Sequence, residues 1–178
     1  MDEEIRSTLY DISTRGDFLK TTTTLVTEDG VATVALPVYL KHIEELAVDG
    51  GNLLELISFD QYQQYIEGEN TLPSGEPEVY ARGVGYLYLD PCPDAIYTLN
   101  ITYSHFHANS VTAIEFGEVF REAIYAGVLK RLWLGQLASH PATPTEGPKH
   151  AALYENEIGL RLPDVYQQPC TVRYRDII

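Results

Sequence analysis

Basic side chains are scarce in this sequence. Twelve Lys and Arg stand against 26 Asp and Glu, a formal charge of −14. A surface this acidic repels phosphate backbones and weighs against sequence-directed nucleic-acid binding. It remains compatible with a wall along which DNA slides without sticking. Cysteine is scarcer still, with only Cys92 and Cys170, far apart in the chain. Two cysteines do not make the disulfide framework of a small secreted fold, so reduced thiols in a cytoplasmic setting are expected. No run approaches the ~18 apolar residues of a membrane span; even AIYAGVLKRLWLG is split by Lys130 and Arg131. The opening MDEEIRSTLY lacks the basic-then-apolar profile of a signal peptide, and none is expected. Internal repeats and catalytic signatures are also missing.

What is present reads as a mixed α and β domain. Hydrophobic residues make up 44% of 178, enough for one domain that buries about 70% of its unfolded surface. Thirteen tyrosines against five phenylalanines suggest half-buried rings suited to strands and interfaces. Ile5, Leu9 and Ile12 predict a helix over 2–15. TTTTLVTEDGVATVAL, broken at Asp29-Gly30, reads as one hairpin, and the strands flanking Asp49-Gly50-Gly51-Asn52 as a second. Ser58 caps a predicted helix over 58–67. A third hairpin bends at Gly83–Gly85, Pro91 and Pro93 turn the chain, and IYTLNITY alternates like a half-buried strand. The β region is therefore expected over 21–57 and 79–104. From Ser110 the period becomes helical, predicting a long helix over 110–138 with Glu115, Glu118 and Glu122 on one stripe. HPATPTEGP interrupts it, and a last helix is predicted over 149–162.

Candidate chemistry is thin. His105 and His107 form an H-x-H whose side chains point the same way on a strand and could share a metal, but no third ligand is spaced to complete a site. They are weak candidates, and neither metal nor cofactor is expected. Arg15-Gly16-Asp17 reads as a helix stop and turn rather than an adhesion motif. Cys92 lacks a nearby base and reads as structural. The glutamate stripe reads first as a solvated face. Tyr80, Tyr86, Tyr88, Tyr97 and Tyr103 read as sheet core or subunit interface, with a sugar-stacking face as the alternative. The terminal Cys170, Thr171, Val172, Arg173, Tyr174 and Arg175 are β-branched, aromatic and locally basic. They read as a segment that docks on a partner by strand addition.

The order of these parts carries a resemblance. Leu36-Pro37 opens the first sheet, and Gly75-Glu76-Pro77-Glu78-Val79-Tyr80 enters a hairpin. Leu87 to Pro93 makes the P-x-P corner, a Tyr97–Tyr103 strand follows, and Tyr125-Ala126-Gly127-Val128-Leu129 sits in the helix. Over residues 36–162 this march resembles the head-to-tail adaptor proteins of tailed bacteriophages. The resemblance implies an α+β fold: a small helical bundle around a long central helix, with an antiparallel β-hairpin or sheet insertion. It implies a single domain over 1–162 and an extended docking tail over 163–178. It also implies a non-enzymatic virion protein of the neck, assembled in the host cytoplasm. Such proteins form a homo-oligomeric ring, typically dodecameric, beneath the portal; they extend the DNA channel and receive the tail or nozzle protein. On this reading Glu115, Glu118 and Glu122 become channel-facing candidates, and residues 170–175 contact the portal or a neighbouring subunit. Another neck or tail-completion protein remains an alternative, as does a carbohydrate-binding module on the tyrosine-rich sheet.

Overall fold

The computed structural model describes residues 1–68 and 73–160. Helix α1 (Asp2–Arg15) buries Leu9 and Ile12, and its acidic first turn and terminal Arg15 suit the helix dipole. Strands β1 (Lys20–Val26), β2 (Thr33–Ala35), β3 (Leu40–Val48) and β4 (Glu55–Ile57) follow. Helix α2 (Phe59–Gly68) opens on a capping box. The Gln61 N–H donates to Ser58 Oγ at 3.2 Å, and the Ser58 N–H donates to Gln61 Oε1 at 3.0 Å, so two orphan donors are satisfied reciprocally. Then come β5 (Ser74–Gly75), β6 (Val79–Arg82), β7 (Tyr86–Asp90), β8 (Cys92–Pro93) and β9 (Thr98–His105). A 3-10 turn at Glu118–Phe120 leads into α3 (Arg121–Leu134), and α4 (Thr143–Gly159) is last.

The chain divides into two compact units. Residues 19–106 form the β unit; residues 1–18 and the chain from His107 onward form the helical unit. In the β unit, one sheet has the order β1-β9-β3 and the other β2-β7-β6-β4, with β5 and β8 as a small parallel pair. β9 is the central strand, antiparallel to β1 from Lys20–Ser104 to Val26–Thr98 and to β3 on its other side. Its alternation puts Leu99, Ile101 and Tyr103 inward, where they meet Val34, Ile43, Leu46, Leu87 and Leu89 from both sheets in one core.

The helical unit is held by close backbone approach. A Cβ on Gly127 would stand 2.4 Å from Thr8 Cγ2 and 2.7 Å from the Tyr154 ring, so glycine is required where α3 passes α1 and α4. Ala123 and Ala126 are buried on the same face of α3. Phe18, Phe116 and Phe120 form an aromatic chain at centroid separations of 4.9 and 5.1 Å.

The α+β class and the helices near 2–15 and 58–67 match the sequence expectation, but several details differ. The long helix expected over 110–138 is a loop, a 3-10 turn and the 14-residue α3. Ser110 Oγ accepts the N–H groups of Thr112 and Ala113 in a tight turn that is not continued as helix, and the chain is extended at Gly117. The helical spacing of Phe116 and Phe120 instead serves the aromatic chain. The last helix starts earlier than expected, at Thr143, because Pro144 sits in the first turn, where a missing N–H goes unneeded. The first two hairpins keep their turns, but across them the chain pairs only through the isolated bridges Glu28–Val31 and Ala47–Leu53. Gly30 and Gly50 take φ of 72° and 71°, yet β1 pairs with β9, β2 with β7, and β4 lies parallel to β6. The third hairpin, β6 with β7, forms as expected around Gly85. Residues 163–178, the expected tail, lie outside the described residues.

Candidate functional site

The helical unit leaves much apolar surface uncovered. Tyr125 and Leu129 stand one turn apart on α3, 53% and 38% exposed. Nearby Ile114 and Val119 are also exposed. A hollow of about 360 Å³ lies beside them, walled by Ile114, Phe116, Ile124 and Tyr125. Arg121 stacks over Tyr125 at 5.6 Å and pairs with Glu118 at 2.9 Å. Helix α3 is thus apolar on its buried face and on part of its exposed one, a pattern that suits a helix covered on several sides.

Beneath that surface, α4 is tied to α1 and α3 by charge. The buried Tyr154 donates a 2.6 Å hydrogen bond to Asp11, while Lys130 and Arg15 lie 4.7 and 5.3 Å from its ring centroid. Burial, reinforced by the bond to Asp11, pushes the phenol well above its ordinary range and keeps it neutral. Glu155 bridges Arg15 and Lys130, the latter at 3.1 Å, and the Arg15 guanidinium holds its carboxyl below the usual range. Arg131 donates to the Ser7 carbonyl at 3.1 Å. Arg15, the first residue of the adhesion-like tripeptide, is committed to these contacts.

The other candidates are dispersed. His105 ends β9, with Nδ1 3.0 Å from the Phe106 carbonyl oxygen. His107 belongs to the helical unit, buried and stacked on Phe116 at 5.6 Å, where Nε2 accepts the Glu115 N–H at 3.3 Å. A metal-binding role competes with that bond, and among the described residues no three His, Cys, Asp or Glu side chains converge on a point. The glutamates do not share one helical stripe. Glu115 lies in the loop and accepts the Ala108 N–H, Glu118 is in the 3-10 turn, and Glu122 is exposed in the first turn of α3. Cys92 is half-buried, and burial followed by the nearby Asp29 and Asp90 carboxylates raises its thiol above the ordinary value, which makes it a poor nucleophile.

The five strand tyrosines do not present one exposed face. Tyr80 and Tyr103 are in the core. Tyr88 lies against Phe59 and Tyr62 of α2 at 5.0 and 5.4 Å. Tyr97 donates to Asp94 at 2.6 Å, which, with some burial, pushes its phenol up to about 12. Tyr86 is half exposed. It lines a groove of about 500 Å³ with Leu25, Val26, Val31, Val34 and Ala35. Sequence reasoning missed this groove and the Tyr125–Leu129 surface. The first depends on the consecutive strands β1 and β2 pairing with β9 and β7 instead of with each other. The second was signalled only by the all-round apolar character of residues 123–134.

Residues 170–175 lie outside the described residues. No curated protein matches the chain. The family model described as SU10 adaptor protein matches residues 3–173, almost the whole sequence. On that match the chain belongs to the SU10 adaptor protein family, a phage head-to-tail adaptor and structural component of the virion neck.

Proposed function

We propose that this protein is the subunit of a closed, dodecameric ring beneath the portal, which extends the DNA channel and gives the tail or nozzle protein its platform. The observation that carries the reading is the adaptor family match over residues 3–173. Two physical features support it. The charge of −14, multiplied around a ring, makes a negative bore through which DNA passes without being held. The uncovered Tyr125 and Leu129 supply apolar area for head-to-tail contacts, which close into a ring when the rotation closes.

On this reading the helices lie toward the channel, with Glu115, Glu118 and Glu122 as its facing carboxylates, and the sheets lie toward the periphery. The protein acts by geometry and catalyses nothing. The segment beyond 163 docks on the portal or on the next subunit. Assembly takes place in the host cytoplasm.

Mass photometry of the protein with and without portal, followed by imaging of the particle, tests the proposal. A single discrete ring mass on portal-bearing heads is the expected result. A lone, stable chain beside the portal overturns it. Removal of residues 164–178 is expected to leave the fold intact and abolish attachment to portal-bearing heads; normal attachment contradicts the docking role.

A further inference from the structure

The groove beside Tyr86 is bounded by two strand edges rather than by the face of one sheet. Consecutive residues line it from each side, 24–26 from β1 and 33–35 from β2. Both are edge strands. Among the described residues β1 is bonded to β9 alone and β2 to β7 alone, so no ladder among them takes up the backbone N–H and C=O groups on the outer sides. An edge of this kind is a template for a further strand. β1 has no proline, and its one lysine, Lys20, is at the far end from the groove and pairs with Glu44. The groove is apolar at Leu25, Val26 and Val34 and acidic at Glu28. Val26 is 59% exposed.

We infer that this groove receives residues 170–175 of a second copy of the chain as an added strand. The occupant is argued from chemistry and chain length. Residues 161–178 lie beyond the last described helix. Within them, Pro169 precedes the run Cys170-Thr171-Val172-Arg173-Tyr174-Arg175, so a proline that cannot pair marks where the ladder begins. Six residues suit an edge the length of β1, which has seven. On a strand, Cys170, Val172 and Tyr174 share one side, an apolar one suited to a groove that carries Leu25, Val26 and Val34. Thr171, Arg173 and Arg175 share the other, in reach of Glu28. The two arginines are a local basic pair in a chain of net charge −14, and they complement the acid at the groove. Donor and acceptor are different surfaces of the same chain, so the contact is head-to-tail, the kind a ring repeats. The inference rests on the ring reading and names which surface receives the tail.

The native Cys170 makes the test direct. In the full-length protein assembled on portal-bearing heads, Val26→Cys places a thiol in the groove, and Leu53→Cys, at an exposed site elsewhere on the β unit, serves as the control. The unsubstituted protein scores the background from Cys92 and Cys170. Under mild oxidation the Val26→Cys protein is expected to form covalent oligomers with Cys170 about tenfold faster than the control, because a docked strand raises the effective thiol concentration. Adding Val172→Pro, which removes a ladder donor from a segment outside the described fold, is expected to return the rate to that of the control. Equal rates at both positions overturn the inference. A Val26–Cys170 bond within one chain overturns the second copy as donor, and a bond from the groove to the portal shows another occupant. Rings that assemble without the crosslink sink this inference alone, whereas chains that stay single beside the portal sink the ring reading with it.

Discussion

The Tyr154 phenol donates a 2.6 Å hydrogen bond to Asp11, 143 residues earlier in the chain, and so joins the last helix to the first. The ring is 1% exposed and lies against two cations. Tyr154→Phe keeps the ring and removes the donor, with an expected cost of about 1–2 kcal/mol. Tyr154→Ala also opens a cavity and is expected to cost about 3–5 kcal/mol. The urea midpoint followed by helical circular dichroism distinguishes the two, and a Tyr154→Phe midpoint equal to that of the native protein would show that the hydrogen bond contributes nothing.

Gly127 fixes how closely α3 approaches its neighbours. Gly127→Ala places a methyl 2.4 Å from Thr8 Cγ2 and is expected to destabilise by about 1–3 kcal/mol despite alanine's better helix propensity. Thr8→Ser removes that Cγ2, so the double variant should be less destabilised than the sum of the single ones. Strict additivity in a double-mutant cycle would show that the crowding is relieved elsewhere.

The Ser58–Gln61 capping box anchors α2, whose Phe59 and Tyr62 pack on Tyr88. Ser58→Ala is expected to cost about 1 kcal/mol. Hydrogen exchange should rise at the first turn of α2 and leave β9 unchanged; faster exchange across β9 would refute so local an effect.

Acid should act on the Arg15–Glu155–Lys130 contact. The folded Glu155 carboxyl lies below its ordinary value of 4.5, held there first by Arg15. Its contribution to stability is therefore complete above 4.5 and lost as pH falls through the lower folded value. Glu155 is half exposed, so the effect is modest. The melting-temperature gap between the native protein and Glu155→Gln should be widest at neutral pH and close in acid. A gap that does not change with pH counts against the ion pair as its source.

Leu129 is 38% exposed on α3. Leu129→Glu is expected to shift monomer stability by less than about 0.5 kcal/mol and to prevent assembly on portal-bearing heads. Unchanged ring formation, read by mass photometry, would remove this surface from the subunit contact.

Local chemistry was legible where neighbours in sequence are neighbours in space. The α1 stripe of Leu9 and Ile12, the Ser58 cap, the Gly85 bend and the alternation of β9 all follow from a few adjacent residues. The proline corner at 91–93 reads as a strand boundary for the same reason. The long helix over 110–138 was misread because aromatic side chains spaced three and four apart satisfy a helical template. They satisfy equally well a loop in which Phe116 stacks on His107. The glutamate stripe failed with the helix that carried it.

By itself the sequence determined the α+β class, the acidic surface, the turns and the order of motifs that marks the adaptor family. These rest on periodicity, net charge and backbone restrictions at Gly and Pro, all of which act over a few residues. Only the tertiary structure decided that β1 leaves its hairpin partner for β9 and that Tyr154 reaches Asp11. Each is a pairing between distant segments, chosen by which combination buries the apolar faces of both sheets in one core, and a turn that reverses the chain does not specify which edge the returning strand will find.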